Sequence, residues 1–237
     1  MKGVVFDISG EFAHFRKFYT NSSSLSHSVP PRTTIMGLIA GMLGKERDTY
    51  YQELSSKNLM IAVKKNGGTR ALTQTLNYLL ATSVGDLRNP KVHTQIPLEI
   101  LRGQDGRISY RITAVAEDGV VEELAKRIEE NRFVFPPTLG TAFFQADVDF
   151  VAATEAVERE AHGSVTIDSV IPVEFIESLA LKDNRVIREK MARDFTEERG
   201  VLMAIPYLVE ERGRPLEVTF KEGKTYWDVA DQHIVFM

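Results

Sequence analysis

Alternating and helical patterns of apolar residues divide the first two thirds of the chain into four strands and two helices. Strands are predicted over residues 2–8, 59–63, 107–115 and 147–152, and helices over 34–43 and 118–131, with Asp118 as the N-cap of the second helix. The resulting order β-α-β-β-α-β predicts an α+β fold of the ferredoxin-like type, in which two helices cover one face of a four-stranded antiparallel sheet.

The segment between the second and third strands, residues 66–102, has no compact helical pattern. Part of it alternates like a ribbon strand, from Leu72 to Tyr78, and Arg, Lys, Gln, Asn and Thr are frequent. Structureless loops of this length are rare in compact domains. We therefore predict a long projecting hairpin.

After Gly163 the pattern changes to short strand candidates separated by glycine turns. The candidates cover residues 165–175, 201–209, 216–221, 225–227 and 233–236. Residues 183–199 stay ambiguous, because they are highly charged and have some helical periodicity without clear caps. We predict a ferredoxin-like domain over residues 1–160 and a smaller, β-rich C-terminal part over residues 161–237.

Composition excludes several classes of protein. The chain has 237 residues, of which 43% are hydrophobic and 26% charged, as in an average globular protein. There is no cysteine, which excludes disulfides, thiol catalysis and Cys-based zinc sites. No apolar run reaches the roughly 18 residues needed to cross a membrane, and the N-terminus reads as a strand, not a signal peptide. A cytoplasmic protein without membrane contact is expected.

Charge is distributed unevenly between the two halves. Residues 1–115 contain 15 Lys and Arg against 8 Asp and Glu, whereas residues 116–237 contain 14 against 25. A basic half joined to an acidic half indicates a surface for a polyanion and a second surface for another partner. The alternative is that the charges simply scatter unevenly.

Two basic clusters near the N-terminus suit nucleic acid. Residues 14–19 combine Arg16 and Lys17 with aromatic rings, so that cations can pair with phosphates while Tyr19 stacks on a base. Alternatively, Phe15 and Phe18 are buried at a strand end. Residues 32–34 (Arg32, Thr33 and Thr34) lie at a helix start, where free N–H groups, hydroxyls and a guanidinium suit a phosphate. Ordinary capping by threonine is the alternative.

The predicted hairpin carries a second set of polar candidates. Cations that can hold an RNA backbone are Arg70, Arg88, Lys91 and Arg102, lined up with three amides that can read base edges, Gln74, Asn77 and Gln95. A solvated surface hairpin is the alternative. No two histidines have metal-ligand spacing, and Asp147 and Asp149 fit the wet face of a strand, so we expect neither metal nor cofactor.

Four segments resemble the Cas5 family of RAMP-superfamily proteins, subunits of type I CRISPR surveillance complexes (Cascade). Residues 12–21 (FAHFRKFYTN) and 28–44 (SVPPRTTIMGLIAGMLG) are similar to its N-terminal signature. Residues 136–142 (PPTLGTA) resemble its second glycine-containing loop, and residues 95–101 the root of its thumb hairpin. The resemblance covers about residues 1–155 and is strongest to the type I-B branch.

This resemblance implies a ferredoxin-like, RRM-type fold and a subunit that caps the complex at the 5′ handle of the CRISPR RNA. The resemblance implies that three groups of residues lie near the handle. These are Arg32, Thr33 and Thr34, the segment from Arg16 to Asn21 with the neighbouring Ser22, and the loop that contains Gly140. The thumb, about residues 66–102, would pack toward the first backbone subunit. The large subunit is an expected partner, and target DNA a further candidate.

One branch of the family cuts precursor RNA without metal, using Tyr, Lys and His. The equivalent groups here would be Tyr19, Lys17 and His14, or Lys91 and His93. The adjacent Lys-His pair of that branch is absent, because Val92 separates Lys91 from His93. The predicted function is therefore a non-catalytic RNA-binding subunit. A metal-independent endoribonuclease and a protein–protein scaffold are the alternatives.

Overall fold

The computed structural model describes residues 1–117 and 119–237, and it contains fifteen strands and three α-helices. Its elements are β1 (Lys2–Gly10), α1 (Arg32–Leu43), β2 (Leu59–Lys65), β3 (Thr69–Leu79), α2 (Val84–Arg88), β4 (His93–Gly103), β5 (Ile108–Ala116), α3 (Val120–Glu129), β6 (Asp147–Glu155), β7 (Val157–Glu160), β8 (Ser164–Ile167), β9 (Ile171–Pro172), β10 (Ile176–Ala180), β11 (Val186–Phe195), β12 (Val201–Glu210), β13 (Leu216–Phe220), β14 (Thr225–Val229) and β15 (Gln232–Ile234). The predicted cap Asp118 lies outside the described residues.

The central sheet is antiparallel and has the order β2-β5-β1-β6. Helix α1 connects β1 to β2, and α3 connects β5 to β6. These six elements begin and end within three residues of the predicted bounds. Residues predicted as a projecting hairpin form β3 and β4, which pair with each other in a separate two-stranded sheet.

Both faces of the central sheet are covered. On the helix side, Phe6 and Ile8 pack in one core with Ile35 and Leu124 of the helices. On the opposite side, the second core contains Val5, Ala62, Val115, Val229 and Ile234. The C-terminal strands β14 and β15 thus cover part of the sheet face that the helices leave open.

The C-terminal part, together with β7 just before it, forms three small sheets with the orders β10-β13-β8, β11-β12-β9 and β15-β14-β7. The strand predicted over 165–175 is broken into β8, β9 and a 3-10 turn, with Pro172 at the break. Proline cannot donate a ladder hydrogen bond, so a continuous central strand is disfavoured there. The ambiguous segment 183–199 contains strand β11.

The boundary predicted at residues 160 and 161 does not separate two cores. Met191 and Tyr207 of the C-terminal part are buried in the same core as α1 and the central sheet. Backbone amides of Val170 and Met237 also donate to β2 carbonyls, at 2.8 and 2.9 Å. Among the described residues, no helix is long and apolar enough to cross a membrane.

Candidate nucleic-acid interface

The basic loop, defined here as residues 16–22, lies at the tip of a short hairpin. The amide of Lys17 donates to the Leu25 carbonyl at 2.8 Å, and the amide of His27 donates to the Phe15 carbonyl at 2.8 Å. These two bonds close the loop at its base. Within it, the predicted contacts Arg16, Tyr19, Asn21 and Ser22 are exposed.

Aromatic residues around the basic loop divide into buried and exposed. Phe15 is 2% exposed and packs edge-on against Tyr110, so it belongs to the core. Phe18 and Tyr19 are 45% and 51% exposed, and their rings pack edge to face at 5.1 Å. The interpretation that both phenylalanines are buried is therefore correct for Phe15 and wrong for Phe18. Exposed rings of this kind suit stacking on unpaired bases.

A groove with a volume of about 410 Å³ lies at the start of α1 and is called the helix groove below. Its lining consists of Thr33, Thr34, Gly37, Leu38, Gly41, Tyr50, Tyr51, Phe135, Pro136, Pro137, Thr138, Gly140, Phe195 and Arg199. The structure thus brings together the predicted helix start and the predicted glycine loop. The N-cap of α1 is Pro31, without a side-chain cap, so the threonines do not cap the helix.

Gly140 shapes one wall of the helix groove through backbone packing. Its φ is +96°, and a Cβ atom at this position would lie 1.9 Å from the His14 carbonyl oxygen. Next to it, the amide of His14 donates to the Leu139 carbonyl at 3.0 Å. Only glycine fits so close an approach at this φ.

Arg32 is not at the surface, which corrects the expectation of a phosphate contact through its guanidinium. The residue is fully buried, and its Nη1 lies 3.1 Å from Oδ1 of Asp194. Its Nη2 donates to the carbonyls of Leu54 and Leu59, at 2.8 and 2.6 Å. Arg32 therefore ties α1 to the start of β2 and to β11, and the groove is lined by its neighbours Thr33 and Thr34.

The thumb, defined here as residues 69–103, places its candidate residues on two faces. In the register of β3 and β4, Arg70 lies opposite Arg102, and Asn77 lies opposite Gln95. Because side chains alternate along a strand, the first pair and Gln74 share one face, whereas Asn77, Gln95 and His93 share the other. The predicted line of cations and amides is therefore divided between the two faces of the ribbon. Arg102 also stacks on the Phe12 ring at 5.5 Å.

The thumb tip combines cations with exposed apolar groups. Helix α2 is held by a capping box of Ser83 and Asp86, whose contacts lower the pKa of Asp86. Arg88 and Lys91 are exposed beside it. The large apolar side chains exposed at this end are Tyr78, Leu79, Leu80, Val84, Leu87 and Val92.

The two histidines considered for catalysis differ in access. His14 is 2% exposed, with Nδ1 at 2.7 Å from the Glu99 carbonyl and Nε2 at 3.0 Å from Ser24 Oγ. Burial lowers the pKa of His14. Both ring nitrogens are used internally, so His14 holds the base of the loop. His93 is exposed on the thumb. Over residues 1–117 and 119–237, no three metal-binding side chains cluster.

Sequence reasoning missed the aromatic and cationic wall of the helix groove, formed by Tyr50, Phe195 and Arg199. Phe195 and Arg199 belong to the β11–β12 hairpin, whose first strand the sequence left ambiguous. Arg199 lies 3.9 Å from Asp48, and the Tyr51 hydroxyl donates to the same carboxylate. The only local sequence feature that points to this wall is the pair of adjacent tyrosines at positions 50 and 51. Burial in the groove raises the pKa of Tyr50.

Comparisons with known proteins agree on the fold. A crystal structure of a CRISPR protein from Archaeoglobus fulgidus is 16% identical, with a TM-score of 0.60, covering 98% of this chain and 97% of that one. A chain of a CRISPR RNA-guided surveillance complex is also 16% identical, with a TM-score of 0.52 and coverages of 90% and 91%. A chain of a type III-B Cmr-beta complex bound to cognate target RNA is 11% identical, with a TM-score of 0.52 and coverages of 90% and 86%.

No protein with a curated description matches the chain. The family model described as CRISPR-associated protein (Cas_Cas5) matches residues 3–206, which is most of the sequence. This match includes the basic loop, both sides of the helix groove, the thumb and strand β11. The chain therefore belongs to the Cas5 family of CRISPR-associated proteins.

Proposed function

We propose that this chain is a non-catalytic subunit of a CRISPR RNA-guided surveillance complex in the cytoplasm, where it binds the 5′ handle of the CRISPR RNA. Membership of the Cas5 family supports the assignment, as do the similar folds found in an RNA-guided surveillance complex and in an RNA-bound type III-B complex. Type I-B is the branch we favour. The sheet order β2-β5-β1-β6 with its two connecting helices corresponds to the proposed ferredoxin-like, RRM-type arrangement.

The observation that carries the proposal is the exposed basic loop. Arg16 offers a guanidinium for phosphates, and Tyr19 offers a ring for a base, on a hairpin fixed at its base by backbone hydrogen bonds. RNA recognition of single strands typically combines these two contacts. The helix groove, with the hydroxyls of Thr33 and Thr34 near the uncapped start of α1, is the second proposed contact.

The thumb is the proposed contact with the backbone subunit. A two-stranded ribbon is marginally stable in water by itself, and this one exposes apolar residues at its tip, such as Leu79 and Leu87. Docking on a neighbouring subunit would bury them. The large subunit is a further proposed partner, and target DNA is a candidate ligand near it.

The salt dependence of RNA binding tests the proposal. Because each phosphate contact with single-stranded RNA contributes about 0.7 to the slope of log K against log salt, R16Q should reduce that slope by roughly this amount. Lys221→Gln, an exposed cation beside β13, is the matched control and should leave the slope unchanged. Binding of repeat RNA that is insensitive to salt would count against the proposal.

A denaturing gel of end-labelled repeat RNA incubated with the protein in EDTA tests the non-catalytic assignment. Intact RNA is expected. A single discrete cut that is lost in His93→Gln would instead establish the endoribonuclease alternative, because His93 is an exposed candidate base on the thumb.

A further inference from the structure

A carboxylate from the C-terminal part reaches the base of the basic loop. Glu189 on β11 is 7% exposed, and its oxygens accept from the amide of Ser28 at 3.1 Å and from the hydroxyl of Ser28 at 3.2 Å. The same carboxylate lies 3.5 Å from Lys17 Nζ and 3.5 Å from His27 Nδ1. One side chain therefore contacts both strands of the hairpin that carries the loop.

These contacts compensate for the cost of burying Glu189. Burial by itself would raise the pKa of Glu189, but the contact with His27, the charge of Lys17 and the amide of Ser28 together lower it. The carboxylate is therefore ionised at neutral pH. A buried ionised carboxylate persists only where charges and hydrogen bonds compensate it, so the hairpin and Glu189 constrain each other.

The other side-chain contacts to the hairpin do not replace the contact between Glu189 and Lys17. Glu99 at the thumb root accepts from the amide of Ser26 at 2.7 Å and fixes the middle of the returning strand. The hydroxyl of Tyr110 donates to the carbonyl of Ser28 at 2.8 Å. Neither reaches Lys17, the second residue of the basic loop, and the ion pair of Lys17 in the structure is with Glu189.

We infer that Glu189 is a positioning residue for RNA binding: its contacts with Lys17, His27 and Ser28 hold the basic loop in the orientation that presents Arg16 and Tyr19 to RNA. This inference rests on the proposed RNA-binding function. It assigns part of the RNA affinity to a residue of the acidic half, which lies outside the N-terminal signature and contacts no RNA itself.

The sign of the mutational effect separates positioning from simple electrostatics. Removing a negative charge near a polyanion site strengthens binding if only long-range charge matters. Glu189→Gln should instead weaken binding of single-stranded repeat RNA about tenfold, because the unanchored loop must be ordered on binding. Glu189→Asp, which keeps the charge on a shorter side chain, should recover part of this loss.

Glu198→Gln is the matched control, because Glu198 is exposed in the turn of the same β11–β12 hairpin. It should bind RNA like the wild type. Amide hydrogen exchange provides a readout that needs no RNA, and Glu189→Gln should accelerate exchange of residues 17–28 while leaving that of the central sheet unchanged. If Glu189→Gln does not fold, Glu189→Asp gives the same comparison with a smaller expected effect.

Failure of the inference and failure of the proposed function give different results. Wild-type protein that does not bind the RNA refutes the proposed function, and the RNA role of Glu189 with it. Wild-type binding with an unchanged or higher affinity in Glu189→Gln overturns the positioning role alone. The same holds if exchange rises equally across the whole protein, since Glu189 would then support only the global fold.

Discussion

The guanidinium of Arg32 and the carboxylate of Asp194 form an ion pair in the core, with Nη1 3.1 Å from Oδ1. Asp194 is further satisfied by the amide and the hydroxyl of Ser56, at 2.8 and 2.6 Å. The pair joins the first residue of α1 to β11, so the N-terminal helix and the C-terminal hairpin have a fixed relation. Burial lowers the pKa of Arg32 to about 10, which still leaves it charged at neutral pH.

Removing one member of this pair should destabilise the whole protein. Arg32→Met leaves Asp194 without its cation, and breaking a buried pair in this way costs about 3–5 kcal/mol. Denaturant unfolding at pH 7 measures the loss. Lys2→Met, which removes the exposed pair with Glu122, should hardly change the unfolding midpoint. If Arg32→Met is as stable as the wild type but binds RNA more weakly, the structural role of Arg32 is contradicted. Such a result would instead favour the phosphate contact that the sequence predicts for Arg32.

The fate of Arg32 illustrates which features the sequence could predict. Strands of the central sheet could be predicted because apolar residues alternate with polar ones in parts of β1 and β5, where Phe6, Ile8 and Ile112 face the core under the helices. Arg32, Glu189 and Asp194 are polar residues in buried positions, and pattern reasoning assigns such residues to the surface. The ion-pair partners of these residues lie more than a hundred positions away along the chain, so no local signal identifies them.

The candidate site, too, could be predicted from the sequence only in part. Thr33, Thr34 and Gly140 were singled out from sequence, and the structure brings them together in the helix groove. In the hairpin that completes the groove, the sequence predicts the second strand but leaves β11 ambiguous, because the buried charges of β11 interrupt its apolar alternation. The pairing register of the thumb strands could not be predicted from the sequence either. A shift of that register by one residue would exchange the two faces of a strand and change which side chains lie together.

Gly140 gives a test of how the groove wall is built. In Gly140→Ala, the positive φ costs about 1–2 kcal/mol, and the overlap with the His14 carbonyl adds about 1–3 kcal/mol of overpacking. Gly106→Ala is the matched control, since Gly106 has a φ of +100° and open space around its Cβ position. Thermal unfolding should show the larger loss for Gly140→Ala. Equal losses would mean that the loop shifts freely away from His14.

The buried side chain of Lys65 should make the protein more stable as the pH rises above neutral. It is 4% exposed, its Nζ donates to the Glu211 carbonyl at 2.8 Å, and burial lowers its pKa to about 8 from 10.5. The unfolded chain therefore binds more protons than the folded protein between these values, so stability rises with pH in that window. Between pH 7 and 9.5, deprotonation of Lys65 should raise the free energy of unfolding by about 2 kcal/mol.

Lys65→Met should remove this rise, and comparing the two proteins cancels the titration of tyrosines. Unfolding free energies from denaturant titrations at pH 7, 8 and 9.5 provide the measurement. Lys221→Met, at an exposed site, should keep the wild-type pH dependence. If the wild type and Lys65→Met change with pH in parallel, Lys65 does not carry the effect.

Tyr19 separates base stacking from charge in the proposed RNA interface. Its ring is half exposed and contacts the rings of Phe18 and His27, at centroid distances of 5.1 and 6.2 Å. Tyr19→Ala should weaken binding of single-stranded repeat RNA by about 1–3 kcal/mol, the typical contribution of one stacked base. Because stacking does not involve counterions, the slope of log K against log salt should stay unchanged.

Tyr19→Phe is the matched control, because it keeps the ring and removes only the hydroxyl. It should bind within about twofold of the wild type if stacking dominates, since stacking on one base uses the ring face alone. Fluorescence anisotropy with labelled RNA at several salt concentrations measures both quantities. Equal losses in Tyr19→Phe and Tyr19→Ala would assign the contact to the hydroxyl. A reduced salt slope in Tyr19→Ala would mean that the ring acts through the placement of Arg16 and Lys17 instead of through a base.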